Sequence, residues 1–432
     1  MSRLSDTLSF GAIRALTWPF SLLPYRSLHT LGKWLGSISY TCCPKFRKRA
    51  LSNLSLASTL KLSQKDIISI AKGSMQNMMI TCLEYTKLAR EKDISRIAYC
   101  ENPDEAASLL NHGKGIIFFC GHQANWEILF LEGTSRMPGV AIGRPTNNKL
   151  LYRWVVSIRE KFGGTIIEPR NAVRESLRAL KKRCFLGIVG DQGMPQGGFA
   201  SDFLGRRAYT SPLPAILAYR TGAPLLVATV RRHEGRYAIR YSAPLYADPA
   251  QEMDHEVERL MREALGLLGT SIQENPDQWL WAHNRWKQQV AGSVKRPYRF
   301  DCIRVILPQE EKQLEALIPH IATLRAIYPT EHFTVSVPQG IQGLQGLQGL
   351  QGTDHLPEVF FRPYSTTEEL FECDFASKVV FNFTGLTRLS RHYRKLAAVQ
   401  ILTLADLWKI ADLPPDSLDV SDLFYKVLRY AR

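Results

Sequence analysis

The stretch Gly115-Ile-Ile-Phe-Phe-Cys-Gly-His-Gln-Ala-Asn-Trp-Glu127 joins two unlike halves. Its first half is a short apolar run flanked by glycines, which fits a strand buried in a covered sheet. Its second half places a histidine and a carboxylate five steps apart. Along one continuous helix five residues turn through about 500°, so His122 and Glu127 would point away from a common face. They converge only if a turn intervenes, with His122 at the strand's end and Glu127 in the first helical turn. There a carboxylate accepting from one ring nitrogen would leave the other free to act as a base. The carboxyl edge of a sheet is where α/β enzymes place their chemistry. Alone, His-x4-Glu is a weak motif, because a histidine followed by an acid is commonly a surface or capping pair.

Outward from this stretch, strands are readable at 165–168, 185–189 and 224–230, with helical stretches at 148–162, 171–182 and 212–221. This alternation predicts an α/β sheet flanked by helices. Upstream, apolar residues from Ile67 to Leu83 recur at helical spacing, and their methionines read as packing. Downstream, a periodic helix over 252–275 ends before Pro276. A composition change near 292–297 marks a boundary, and beyond it a second βα series runs through 303–307, 310–328, 333–337, 378–383, 386–396 and 399–404. The glycine-every-third-residue run at 340–352 lacks proline, so it is expected to be a flexible linker and not collagen-like.

With 432 residues, 45% hydrophobic and 22% charged, the chain is long enough for two or three packed units and is not of disordered composition. A mean hydropathy of −0.15 argues against a polytopic membrane protein. The deviation is charge: 55 Lys and Arg against 40 Asp and Glu leave +15, which calls for an anionic partner. Residues 1–50 hold eight cations against the single acid Asp6, interleaved with Phe10, Leu16, Trp18, Phe20, Leu22 and Trp34. That mixture suits a bilayer headgroup boundary, so a basic amphipathic anchor is expected. Arg14, Pro19, Pro24 and Arg26 interrupt the run and leave no clean apolar span, and an amphipathic helix packed on the protein's own core is the competing reading. The eight cysteines show no zinc spacing, so neither a disulfide scaffold nor a metal site is expected, and no cofactor is called for. No finger spacing, recognition helix or aromatic RNA motif supports nucleic acid as the anion.

The residues around His122 resemble those of the bacterial lipid A late acyltransferases, a branch of the lysophospholipid acyltransferase superfamily, whose hallmark block reads close to His-Phe-Gly-Asn-Trp-Glu. The chain keeps His122, Asn125, Trp126 and Glu127 and departs at Gln123 and Ala124. Gly143-Arg-Pro-Thr-Asn147, Arg159-Glu-Lys-Phe-Gly-Gly-Thr-Ile-Ile167, Gly190-Asp-Gln-Gly193, Asp202-Phe-Leu-Gly-Arg-Arg-Ala208 and the tryptophan-rich stretch from Asn275 to Lys287 are similar to further family blocks in the same order. The resemblance spans about residues 10–290. It implies a glycerolipid acyltransferase-like mixed sheet and transfer of a fatty acyl chain from acyl carrier protein to a hydroxyl of a Kdo-modified lipid A precursor, at the cytoplasmic face of the inner membrane of a Gram-negative bacterium. It also implies His122 as general base with Glu127 as its partner. Asn125, Arg144, Arg170, Asp191 and Gln192 are then candidates for substrate contact, with Arg144 or nearby backbone N–H groups facing the oxyanion and Arg174 as a further anion contact. Asp191 at a sheet edge could equally cap the next segment, and Trp279, Trp281 and Trp286 read as packing or interface anchors.

Residues from about 300 onward are faintly similar to the N-terminal Rossmann half of lipopolysaccharide heptosyltransferases, but Gln309-Glu310-Glu311 stands where that family has Gly-Asp after its first strand. A structural or docking role is therefore expected there. The expected organisation is an anchor at 1–50, an acyltransferase domain at 51–291 and a Rossmann-like extension at 292–432. Two readings compete with the lipid A assignment: an acyltransferase for another glycolipid or lysophospholipid, and a non-catalytic membrane-surface scaffold.

Overall fold

The computed structural model describes residues 3–113, 115–340 and 359–430. The Gly-Leu-Gln repeat after Gly340 lies outside them. The chain forms two compact units, the first comprising residues 1–43, 68–192 and 198–283, the second residues 44–67, 193–197 and 284–432.

The first unit is built on a seven-stranded mixed sheet in the order β1-β9-β8-β2-β5-β3-β4. Its strands are β1 (Ala98–Cys100), β2 (Ile116–Cys120), β3 (Gly139–Ile142), β4 (Thr165–Ile167), β5 (Phe185–Val189), β8 (Leu225–His233) and β9 (Arg236–Tyr241). β2 runs parallel to both neighbours, β5 and β8, and all five of its residues are buried, as its unbroken apolar run demands. Antiparallel order enters only at β8–β9, where Glu234 and Gly235 both take positive φ, the backbone twist of a two-residue hairpin. A second such hairpin, β6 (Phe199–Phe203) with β7 (Arg206–Thr210), turns at Leu204 and Gly205, and the Asp202 carboxylate accepts from the Gly205 N–H. The Asp-Phe-Leu-Gly-Arg-Arg-Ala block is therefore a turn motif.

The helices of this unit are α1 (Arg3–Thr17), α2 (Tyr25–Cys42), α4 (Gln64–Leu88, chiefly in this unit), α5 (Pro103–Asn111), α6 (Glu127–Arg136), α7 (Lys149–Arg159), α8 (Ala172–Lys181), α9 (Leu213–Thr221) and α10 (Met253–Glu274). Ile128 and Leu131 of α6 share one apolar cluster with Ile116 and Phe118 of β2, Leu226 and Ala228 of β8 and Ile158 of α7. α2 lies close to α4 because Gly32 and Gly36 face Ile80 and Gln76. A Cβ on Gly36 would stand 2.3 Å from the Gln76 Cα. α1 docks on the start of α7, where Asn148 caps the helix through the Leu151 N–H and donates to the Asp6 carbonyl and the Ser9 hydroxyl. Among the described residues no helix is long and apolar enough to cross a membrane.

The second unit carries five parallel strands in the order β12-β11-β10-β13-β14, from β10 (Cys302–Ile306), β11 (His332–Pro338), β12 (Val359–Tyr364), β13 (Val379–Asn382) and β14 (Gln400–Leu402). Numbered along the unit this order is 3-2-1-4-5, the start of a doubly wound Rossmann arrangement. One face packs on α11 (Glu311–Ile327), α13 (Leu404–Ala411) and α14 (Val420–Leu428), and the other receives Leu389 and Tyr393 of α12 (Thr387–Lys395). Helix α3 (Pro44–Leu56) belongs here too. Lys48 Nζ donates to the Ala398 carbonyl at 2.6 Å and Ser52 Oγ to that of Ala376 at 2.6 Å. Residues 44–67, 193–197 and 284–291 group with the C-terminal unit, where the expected organisation set boundaries at 50 and 291.

Candidate active site

His122 follows the carboxyl end of β2, two residues beyond Cys120, and its side chain is 13% exposed. Nδ1 lies 2.5 Å from Asp191 Oδ1, and the backbone N–H of His122 donates to Asp191 Oδ2 at 2.8 Å. Asp191 sits two residues past β5 and is fully buried. A third donor, the Trp279 indole N–H, reaches its Oδ2 at 2.7 Å. Burial alone would raise this carboxyl, but the imidazole beside it, His283 and the hydrogen bonds hold it well below the usual carboxylate range. A charged Asp191 requires the proton on Nδ1 and leaves the Nε2 lone pair outward, where the exposed Gln192 amide stands 3.3 Å away. A Cβ on Gly121 would come within 3.0 Å of Asp191 Oδ2, so glycine lets the two strand ends approach.

The turn between His122 and α6 is stitched to the tryptophan-rich block. The Leu280 N–H donates to the His122 carbonyl, the Ala124 N–H to the Gln278 carbonyl, and Gln123 bridges to Trp279. Ala124 holds φ +42°, a left-handed conformation, at the position where the resembled block has glycine.

Glu127 opens α6, at the sequence-expected place, but its carboxylate makes no hydrogen bond to His122 and acts on it through charge alone. It accepts from Tyr85 Oη at 2.5 Å and from Arg159 through Nε at 2.7 Å and Nη2 at 2.6 Å. Burial would raise it, and the bidentate Arg159 pair outweighs that and lowers it. The ring's hydrogen-bond partner is thus Asp191 and not Glu127, whose carboxylate is taken up by the bidentate Arg159 of α7 and by Tyr85 of α4. Asn125, expected at substrate, is fully buried. Its Nδ2 donates to Glu84 at 2.7 Å and its Oδ1 accepts from the Glu127 N–H. Glu84, also fully buried, accepts further from Tyr237 Oη and meets His29 Nε2, each at 2.6 Å.

Of the remaining expected contacts, Arg144 is exposed on the loop after β3, Arg170 is exposed and pairs with Glu168, and Arg174 pairs with Glu175. None of the three meets His122 in a hydrogen bond or ion pair. Trp279, Trp281 and Trp286 are wholly buried. The residues missed were Arg159, Tyr85, Glu84 and the role of Trp279. Arg159 and Trp279 stand in the quoted blocks, whereas nothing local marks Tyr85 and Glu84 among a helical stripe.

An apolar cavity of about 50 Å³ opens between Phe118, Cys120, Trp126, Phe130, Phe185 and Tyr241. Trp126 packs edge-on against the His122 ring at 4.7 Å between centroids and also lines this cavity.

Residues 5–288 match the family model described as bacterial lipid A biosynthesis acyltransferase. The chain is 21% identical over 290 residues to a lipid A biosynthesis lauroyltransferase of Escherichia coli (strain K12), covering 65% of this chain and 91% of that protein. It is 22% identical over 286 residues to a lipid A biosynthesis palmitoleoyltransferase of the same organism, covering 64% and 90%. A phosphatidylinositol mannoside acyltransferase of Mycolicibacterium smegmatis (strain ATCC 700084 / mc(2)155) is 22% identical over 169 residues, covering 38% of this chain and 54% of that protein.

Proposed function

Because this chain belongs to the bacterial lipid A biosynthesis acyltransferase family, we propose that it moves a fatty acyl chain from acyl carrier protein to a hydroxyl of a Kdo-modified lipid A precursor, with His122 as base and Asp191 as its partner. The observation that carries this reading is the buried Asp191 under Nδ1 of His122, whose ring packs on Trp126, a residue that lines an apolar cavity. The acceptor hydroxyl is a weak nucleophile until a positioned base takes its proton. Nε2 takes that proton as the hydroxyl oxygen attacks the thioester carbonyl, and Asp191 stabilises the imidazolium. The tetrahedral intermediate collapses, the C–S bond breaks, and the departing thiolate takes the proton from Nε2. No acyl-enzyme is needed. The donor proposed for the developing oxyanion is the Gln192 side-chain amide, which stands 3.3 Å from Nε2. The acyl chain enters the cavity past Trp126, and the lining must part to admit a long one. Glu127 and Arg159 clamp α6 to α7 and so hold the turn that carries His122.

The membrane is the place where such an acceptor resides. Leu4, Leu8, Leu16, Trp18, Leu22 and Trp34 are exposed along the basic N-terminal helices, which supports an anchor lying on the cytoplasmic face of the inner membrane. The surplus of cations suits acidic acyl carrier protein and a phosphorylated acceptor.

The test is acyl transfer by purified protein from a panel of acyl carrier protein thioesters to the tetraacyl Kdo-modified precursor. A product one chain heavier is expected, lost in His122→Ala and in Asp191→Asn. No product from wild-type protein that still binds detergent micelles would remove lipid A as acceptor. The likeness to a phosphatidylinositol mannoside acyltransferase makes a glycolipid the acceptor to try next.

A further inference from the structure

A polar cavity of about 340 Å³ lies where α1, the end of α4 and α7 meet, lined among others by Arg14, Trp18, Arg90, Trp154, Ser157 and Lys161. Three of its lining residues are cations and none is an acid. The Arg14 guanidinium stacks over the Trp154 ring at 4.7 Å, which fixes its plane while leaving its N–H edges for a planar or tetrahedral anion. Lys161 Nζ donates to the Ala89 carbonyl at 2.8 Å, at the C-terminal end of α4, and so is tethered at the rim. Arg90 is exposed and, among the described residues, pairs with no carboxylate. The neighbouring acid, Glu91, is engaged by the Tyr25 hydroxyl. Glu91, outside the lining, offsets part of the charge of Lys161, but the three cations keep a net positive charge that a bound anion would reduce.

We propose that this cavity binds the phosphate group of an anionic membrane lipid. Its size leaves room for a phosphate and ordered water, given about 30 Å³ for each water. The lipid source follows from its mouth: Trp18 lines the cavity, is 53% exposed, and shares the N-terminal segment with exposed Leu8, Leu16 and Leu22. A tryptophan flanked by apolar side chains sits at headgroup depth, which brings lipid phosphates level with Arg14 and Arg90. The site holds no residue of the His122 machinery and does not depend on the acyl-transfer reading.

The test uses the full chain in co-sedimentation with phosphatidylcholine vesicles carrying either phosphatidylglycerol or oleate at matched surface charge. Wild type is expected to prefer phosphatidylglycerol. The double variant Arg14→Ala/Arg90→Ala is expected to lose about tenfold or more of its binding to phosphatidylglycerol vesicles and to lose the preference. Arg26→Ala/Lys33→Ala removes the same charge from α2 outside the cavity and is expected to weaken both vesicle types alike while keeping the preference. Arg90→Ala alone, at an exposed position, provides the same readout if the double variant does not fold. Equal behaviour of the two double variants, or a wild type that does not distinguish phosphate from carboxylate lipid, would overturn the proposal. A tryptophan fluorescence change with inorganic phosphate alone, with vesicle preference untouched by the Arg14 and Arg90 changes, would assign the cavity to a soluble anion and overturn the lipid source.

Discussion

Which nitrogen of His122 carries the proton is set by Asp191, a buried carboxylate that also takes the backbone N–H of His122 and the indole N–H of Trp279. Replacing Asp191 by Asn is therefore expected to lower kcat by about 10²–10⁴-fold with a much smaller change in KM, measured by initial rates across acceptor concentrations. The same carboxyl is held below its usual range, as is that of Glu127. The stability they contribute is present above the unfolded carboxylate value of about 4 and is lost as pH falls through their lower folded values. Urea midpoints followed below about pH 4 should fall less steeply in Asp191→Asn than in wild type. At Ala124 the strain is in the backbone. Ala124→Val would put a β-branched side chain at φ +42° in a site with no exposure, and a loss of about 2–4 kcal/mol by chemical denaturation is expected.

Between elements, glycine spacing sets how closely helices approach. Gly36 of α2 leaves no room for a Cβ beside Gln76 of α4, whereas Gly11 of α1 has nothing within 4 Å. Gly36→Ala is thus expected to destabilise by about 1–3 kcal/mol, since one helix must move away from the other. Gly11→Ala is expected to stabilise by about 0.5–1 kcal/mol through helix propensity alone. Thermal melts of the two variants against wild type check both signs. The elements themselves were readable wherever one periodicity dominated: the helix expected over 252–275 is α10, stopped by Pro276, and the strand expected at 185–189 is β5. The hairpin strands β6, β7 and β9 were missed because their alternation is short and their turns, Leu204-Gly205 and Glu234-Gly235, declare themselves only through φ.

For the whole molecule, the clearest pH liability lies in the second unit. Glu331 is fully buried, and burial, with Asp301 near, pushes its carboxyl up to about 7. The folded state then keeps a proton that the unfolded state loses near pH 4, so stability of that unit falls as pH rises from about 4 to about 7 and levels off above. Glu331→Gln is expected to remove that slope and to raise stability at pH 8 by about 1–3 kcal/mol, read from urea unfolding at several pH values. The order of residues along the chain marks the two α/β series, the buried strand β2, and the loop that carries His122, because hydrophobic period and turn residues are local properties. It also determined the family, since the matching blocks are collinear. Folding in three dimensions is what makes Asp191, 69 positions away, and not Glu127, the hydrogen-bond partner of the ring, turns Asn125 inward to Glu84, and joins residues 44–67 to the C-terminal unit. Those outcomes depend on which strand lies beside β2 and on long-range hydrogen bonds. Neither strand order nor a side chain's distant partner is encoded in spacing along the chain.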